Sequence, residues 1–82
     1  MKKAYSAAEQ YLGKALLIDP DSTDALNNLG TLYALNHQYD SAVRLFRKVL
    51  DLNPGNQYAQ LNLGRITMIE KNKKIEREKS VF

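Results

Sequence analysis

Few side chains in this 82-residue sequence could do chemistry, and their spacing rules out most of what they could do. His37 is the sole histidine and there is no cysteine, so no multi-histidine metal site, thiol chemistry or disulfide can be assembled. His37 reads as a solvated turn residue, which leaves Ser6, Ser22, Ser41 and Ser80 without a local base to make a nucleophile. Asp19, Asp21 and Asp24 cluster around Pro20 with a spacing that superficially suits calcium. A calcium loop also needs glycine at its sixth position and glutamate at its twelfth, and counting from Asp19 those places hold Asp24 and Gly30. The three carboxylates are therefore assigned to helix capping. Gly30 and Gly64 stand among large residues, unlike the glycines of a phosphate-cradling loop. No catalytic group, metal ligand or cofactor is expected. What remains is a pair of amides, Asn28 and Asn62, separated by 34 residues. An asparagine amide carries a donor and an acceptor on one planar group, so it can pair with the N–H and C=O of a peptide backbone whatever the peptide's sequence.

The spacing of that pair belongs to the whole chain. Shifted by 34 residues against itself, the sequence matches at nine of 48 positions: Tyr5/Tyr39, Ala8/Ala42, Lys14/Lys48, Leu16/Leu50, Pro20/Pro54, Ala25/Ala59, Asn28/Asn62, Leu29/Leu63 and Gly30/Gly64. About three would be expected by chance at typical residue frequencies. Between the prolines the chain parses as two helices. Asp21 or Ser22 can cap the first, whose apolar face is Ala25, Leu26, Leu29, Leu32 and Tyr33. Asn36, His37 and Gln38 interrupt it, Asp40 is a plausible N-cap of the second, and Ala42, Val43, Leu45, Phe46, Val49 and Leu50 form its apolar side. Pro54 and Gly55 end that helix, because proline has no N–H to donate and disfavours helical geometry in the residue before it. A short loop makes the two helices antiparallel neighbours. A glycine inside a helix costs about 1 kcal/mol relative to alanine, and closer helix contact at a crossing can offset it. Gly30 and Ala42 are the expected crossing pair, and Gly64 is expected to repeat the role in the next hairpin.

Leu26-x2-Leu29-Gly30-x2-Tyr33, then Ala42-x3-Phe46, then Pro54, resembles the tetratricopeptide repeat, a 34-residue helix-turn-helix unit. Leu26 stands where that family often has tryptophan. The resemblance implies an all-α fold, a right-handed α-solenoid of antiparallel helix hairpins with about four helices. Residues 1–22 then correspond to the second helix of a partial repeat, 23–56 to a complete repeat, 57–70 to the first helix of the next, and 71–82 to a charged helical cap or a frayed tail. Helix-packing roles fall to Ala8, Pro20, Gly30, Tyr33, Ala42, Phe46, Pro54 and Gly64, with Tyr5 and Tyr39 also packing.

In such proteins the first helix of each repeat lines a concave face that holds an extended peptide. Here the resemblance places Asp24, Asn27, Asn28, Thr31 and Leu35 on that face, with Tyr58, Leu61, Asn62, Arg65 and Met68 or Ile69 from the next repeat. Asn28 and Asn62 resemble the asparagine rows in the superhelix of O-GlcNAc transferase, and Tyr58 is the expected aromatic contact for a ligand. A carboxylate clamp of the chaperone-binding kind is disfavoured, since Arg65 is the one well-placed inward cation. The implied function is a non-catalytic scaffold for a protein or peptide partner.

A second expectation comes from the half-repeats. Tyr11, Leu12 and Leu16 near one end, with Ile18, and Ile66 and Ile69 near the other, with Met68, Val81 and Phe82, lack an evident cap; a homo-oligomer formed through these faces is the alternative. Nucleic acid is not favoured as a partner. The net charge of +3 arises in residues 71–82, where five cations are interleaved with Glu76 and Glu78, and residues 1–70 balance to zero. No apolar run approaches a membrane span, and a cytoplasmic location is expected.

Overall fold

Around each proline the chain builds the same hydrogen-bonded joint. Asp19 Oδ1 accepts from the Asp21 N–H at 3.2 Å, and one repeat later Asn53 Oδ1 accepts from the Gly55 N–H at 3.2 Å. Ser22 Oγ then accepts from the Ala25 N–H at 3.2 Å, and Asn56 Oδ1 from the Ala59 N–H at 2.9 Å. Each joint is a turn and then an N-cap that satisfies a backbone donor the helix cannot. Of the two candidates Asp21 and Ser22, the cap is Ser22.

These joints divide a computed structural model that describes the backbone of residues 2–79 and the side chains of residues 6–75. The helices are α1 (Lys2–Ile18), α2 (Thr23–Leu35), α3 (Tyr39–Leu52) and α4 (Gln57–Lys79), with no strand among the described residues. The fold of the described residues is all-α. The packing expected of Tyr5, and the apolar end expected of Val81 and Phe82, lie outside the described side chains. No described helix is long and apolar enough to cross a membrane. Asp40 is not the N-cap of α3. The helix begins at Tyr39 behind Gln38, which makes no side-chain cap, and Asp40 sits in the first turn, where a carboxylate meets the positive end of the helix dipole.

α2 and α3 pack most extensively, and their contact holds the core. Leu26, Ala42, Phe46 and Val49 are buried there, joined by Ala59 and Ile66 from α4, with Leu16 of α1, Tyr33 and Leu63 packed around them. At the glycine crossing the nearest group is one that the expected pair did not include. Ala42 is buried, but the group lying on Gly30 is the ring of Phe46, one turn further along α3; a Cβ on Gly30 would fall 2.9 Å from two ring carbons. The ring fills the hollow that the absent side chain leaves.

α1 docks on α2. Tyr33 reaches back to it, its hydroxyl donating to Glu9 Oε1 at 3.4 Å. Burial first, and then the charge of Glu9 and this hydrogen bond, push the Tyr33 phenol above its ordinary pKa.

Gly64, by contrast, does not repeat the role of Gly30. A Cβ there would meet nothing within 4 Å, because no described helix packs on that side of α4. The residues of α4 one repeat after Leu26 and Tyr33 are Gln60 and Thr67, both exposed. Where α2 turns an apolar face to α3, α4 turns a polar one to open space. α4 continues straight through residues 71–79, with Lys71 to Ile75 exposed. Lys73 holds this extension near the rest of the fold, its Nζ lying 5.1 Å from the centre of the Tyr39 ring.

The two glycines should therefore respond oppositely to the same change. Gly30→Ala is expected to destabilise by about 1–3 kcal/mol through overpacking against Phe46. Gly64→Ala, relieved of glycine's helix cost with no clash, is expected to stabilise by up to about 1 kcal/mol. Urea denaturation monitored by far-ultraviolet circular dichroism measures both.

Candidate peptide-binding groove

The two helices that should line a ligand face, α2 and α4, touch along part of their length. Their first turns, with the loop before α4, border an open surface pocket of about 360 Å³ lined by Asp24, Asn27, Asn28, Asn56 and Tyr58. Three of these lining residues lie at helix starts: Asp24 is in the first turn of α2, Asn56 caps α4, and Tyr58 is in its first turn. Ser22 and Asn56 thus act as hinges that aim Asp24 and Tyr58, one repeat apart, into a common space.

Asn27, expected from the sequence to face a ligand with the others, is only 7% exposed. α4 and its cap cover it. The Asn27 Nδ2 donates to Asn56 Oδ1 at 3.3 Å, and its own Oδ1 is buried without a partner. The residue one repeat later, Leu61, is 64% exposed because no described element lies over it. The two occupy one helical phase and differ only in whether a further helix of the stack covers them. Asn56 is the residue that sequence reasoning missed. The available signal was its place 34 residues after Ser22, at the same capping position.

The remaining positions are distributed more widely. Asn28 is exposed and lines the pocket, while Asn62 is half-buried and stands outside it. Arg65 and Leu35 are exposed. Thr31 is half-buried and its hydroxyl donates to the Asn27 carbonyl at 2.9 Å, so that donor is already engaged within α2. Tyr58 is 52% exposed, leaving its ring open to a ligand. Of the apolar residues expected at an association surface, Ile66 is excluded: at 3% exposed it belongs to the core between α3 and α4. Leu12 and Leu16 are half-buried, Leu16 against the core, whereas Tyr11 is 75% exposed and Ile69 lies at the surface.

The family model of the tetratricopeptide repeat matches residues 23–56, the span from the first turn of α2 to the cap of α4. The chain carries a tetratricopeptide repeat. Over 56 residues, 68% of its length, it is 36% identical to a protein of Sinorhizobium fredii described as uncharacterized protein y4yS. That alignment takes in 31% of the relative's length, so the chain spans about a third of the relative. Tetratricopeptide repeats generally mediate protein–protein interaction and are generally non-catalytic, which gives this repeat protein-binding as its general role.

Asn56 carries both the cap of α4 and the tie to Asn27, so its removal should be felt twice. Asn56→Ala is expected to cost about 1–3 kcal/mol, from the lost cap and the stranded Asn27 amide. Asn56→Asp keeps an acceptor for both donors and should recover more than half of that loss in the same urea titration.

Proposed function

We propose that the groove along α2 and α4 holds an extended segment of another protein, with Asn28 and Asn62 pairing with its backbone. The observation that carries this reading is the exposed Asn28 amide at a polar pocket shared by two successive first helices, where free donors and acceptors meet an open aromatic ring. A bound strand supplies one N–H and one C=O per residue, and the asparagine amide matches both. Asn28 and Asn62 share a helical phase, so they would engage successive parts of the strand. Repeat identity at the core positions and at these asparagines is what such a surface requires: a rigid frame and a recurring backbone contact. Selection from a displayed library of random dodecapeptides tests it. The wild-type chain should enrich binders, and Asn28→Ala with Asn62→Ala should weaken the selected peptides at least about tenfold, roughly one hydrogen bond's worth at each site, by fluorescence anisotropy with helical content unchanged. Undiminished binding by the double variant would remove these residues from the role.

A second reading has its own observation. Tyr11 and Ile18, 75% and 87% exposed, stand two turns apart on α1 and present apolar surface that a second copy could cover. Light scattering over a wide concentration range should then give a mass that rises with concentration in the wild type and stays monomeric in Ile18→Glu. A concentration-independent monomer in both would dismiss assembly through α1.

A further inference from the structure

The groove reading leaves open which side chain the pocket would accept, and its lining answers in chemical terms. Asp24 supplies the one formal charge among Asp24, Asn27, Asn28, Asn56 and Tyr58, so the pocket is net negative. Part of the lining's hydrogen-bonding capacity is already committed within the protein. Asn27 has committed its NH2 to Asn56, and its Oδ1 has no donor although the residue is more than nine-tenths buried. Asn56 Oδ1 already receives both Ala59 N–H and Asn27 Nδ2, which leaves the Asn56 NH2 as a donor. The Asn28 amide and the Tyr58 hydroxyl each bring a donor and an acceptor, so the preference for a cation comes from the two carboxylate oxygens of Asp24. Tyr58 adds a half-exposed ring whose face attracts cations. Arg65 lies two turns further along α4, about 10 Å away by helix rise, and does not line the pocket, so it does not cancel the charge of Asp24. The molecule pairs a cation with a tyrosine elsewhere in the same manner, at Lys73 and Tyr39.

We infer that this pocket selects a basic side chain, lysine or arginine, on the segment bound in the groove, with Asp24 as the counter-charge and Tyr58 as the aromatic wall. Asp24 and Tyr58 occupy the same phase of successive repeats, so an acid and an aromatic from adjacent units converge on one ligand group. A lysine ammonium brings three donors and an arginine guanidinium five, which the Asp24 carboxylate and the Asn28 amide oxygen can receive. A carboxylate side chain would meet Asp24 with like charge, and an aliphatic one would leave the pocket's polar groups facing hydrocarbon. This assignment rests on the groove reading, and the experiment separates the two.

The probes are four capped decapeptides of alanine, serine and asparagine that differ only at one central residue: lysine, arginine, norleucine or glutamate. Each is titrated into the ¹⁵N-labelled chain, with the side-chain amide resonances of Asn27, Asn28, Asn56 and Asn62 as readouts. The lysine and arginine peptides are expected to bind about tenfold tighter than norleucine, a modest charge-plus-ring preference, and to move Asn27, Asn28 and Asn56. Asp24→Asn and Tyr58→Ala should each bring lysine down to the norleucine level, while the Asn62 shift persists. Equal affinity for all four peptides, with Asn28 and Asn62 still moving, would overturn the basic-residue assignment and leave the groove intact. Charge-dependent shifts that appear away from these asparagines, for example beside Asp40 and Glu70, would likewise overturn it. No movement of Asn28 or Asn62 with any peptide would remove the groove and this assignment together.

Discussion

The contact between Gly30 and the Phe46 ring sets the distance between α2 and α3, and the remaining helices are placed from that pair. A side chain at residue 30 would hold the backbones apart. Its absence lets a fully buried phenylalanine sit in the hollow, flanked by the equally buried Leu26 and Val49. Each such side chain contributes about 1.5–3 kcal/mol by leaving water, which outweighs the helix penalty of one glycine. With α3 fixed close to α2, its other side presents Val43 to Leu63 and Ile66 of α4 across a shared groove. Tyr33, packed at the same core, extends to Glu9 and brings α1 into place. A chain this short has little surface to bury, so a single dense crossing carries much of its cohesion.

The contact between α2 and α4 is of another kind. It is small and partly polar, with Asn27 donating to Asn56 while Asn56 caps α4. An apolar contact can slide; a hydrogen bond inside a covered site has one geometry in which its donor is satisfied. The Asn27–Asn56 bond therefore fixes where the start of α4 lies relative to α2, and with it the separation of Asp24 and Tyr58. The unpartnered Asn27 Oδ1 is the energetic counterpart of that arrangement, a buried acceptor held in place by a frame that over-determines it. A satisfied donor and an unsatisfied acceptor thus sit on neighbouring atoms of one side chain.

Much of this is legible in the sequence because it is local or periodic. Pro20 and Pro54, the caps just after them, and the apolar faces of α2 and α3 depend on residues within a few turns of each other. Leu26, Phe46 and Ala42 can be assigned to the core from spacing alone. The illegible part depends on neighbours that the period assumes. Gly64 and Gly30 both follow Asn-Leu at the same repeat position, but one receives open space and the other a phenylalanine ring. Asn27 and Leu61 exchange the expected burial for the same reason, since α4 covers the first and no described element covers the second. Ile66, which spacing places at an exposed end, is buried because α3 packs onto it. That the Phe46 ring lies nearest Gly30, one helical turn beyond Ala42, is a detail that a pattern of small residues does not resolve.

The straightness of α4 comes from a single turn that is not built. In α2 the helix ends at Asn36, His37 and Gln38, and His37 takes a left-handed conformation with φ of 61°. A non-glycine residue enters that region at a cost of about 1–2 kcal/mol, accepted here because the reversal lets α3 bury Phe46 against Gly30. One repeat later the corresponding residues are Glu70, Lys71 and Asn72, and the helix runs through them to Lys79. Gln60 and Thr67 stand where Leu26 and Tyr33 form the face that receives a returning helix in the preceding repeat. The strained turn would then have no return, so continued backbone hydrogen bonding prevails. The outcome is one uninterrupted 23-residue helix, tied to α2 at its start through Asn56 and in contact with α3 further along through Lys73 on Tyr39. Both contacts restrain α4 against the α2–α3 pair, and in the groove proposed above that restraint would set the separation of Tyr58 and Asn62 from α2.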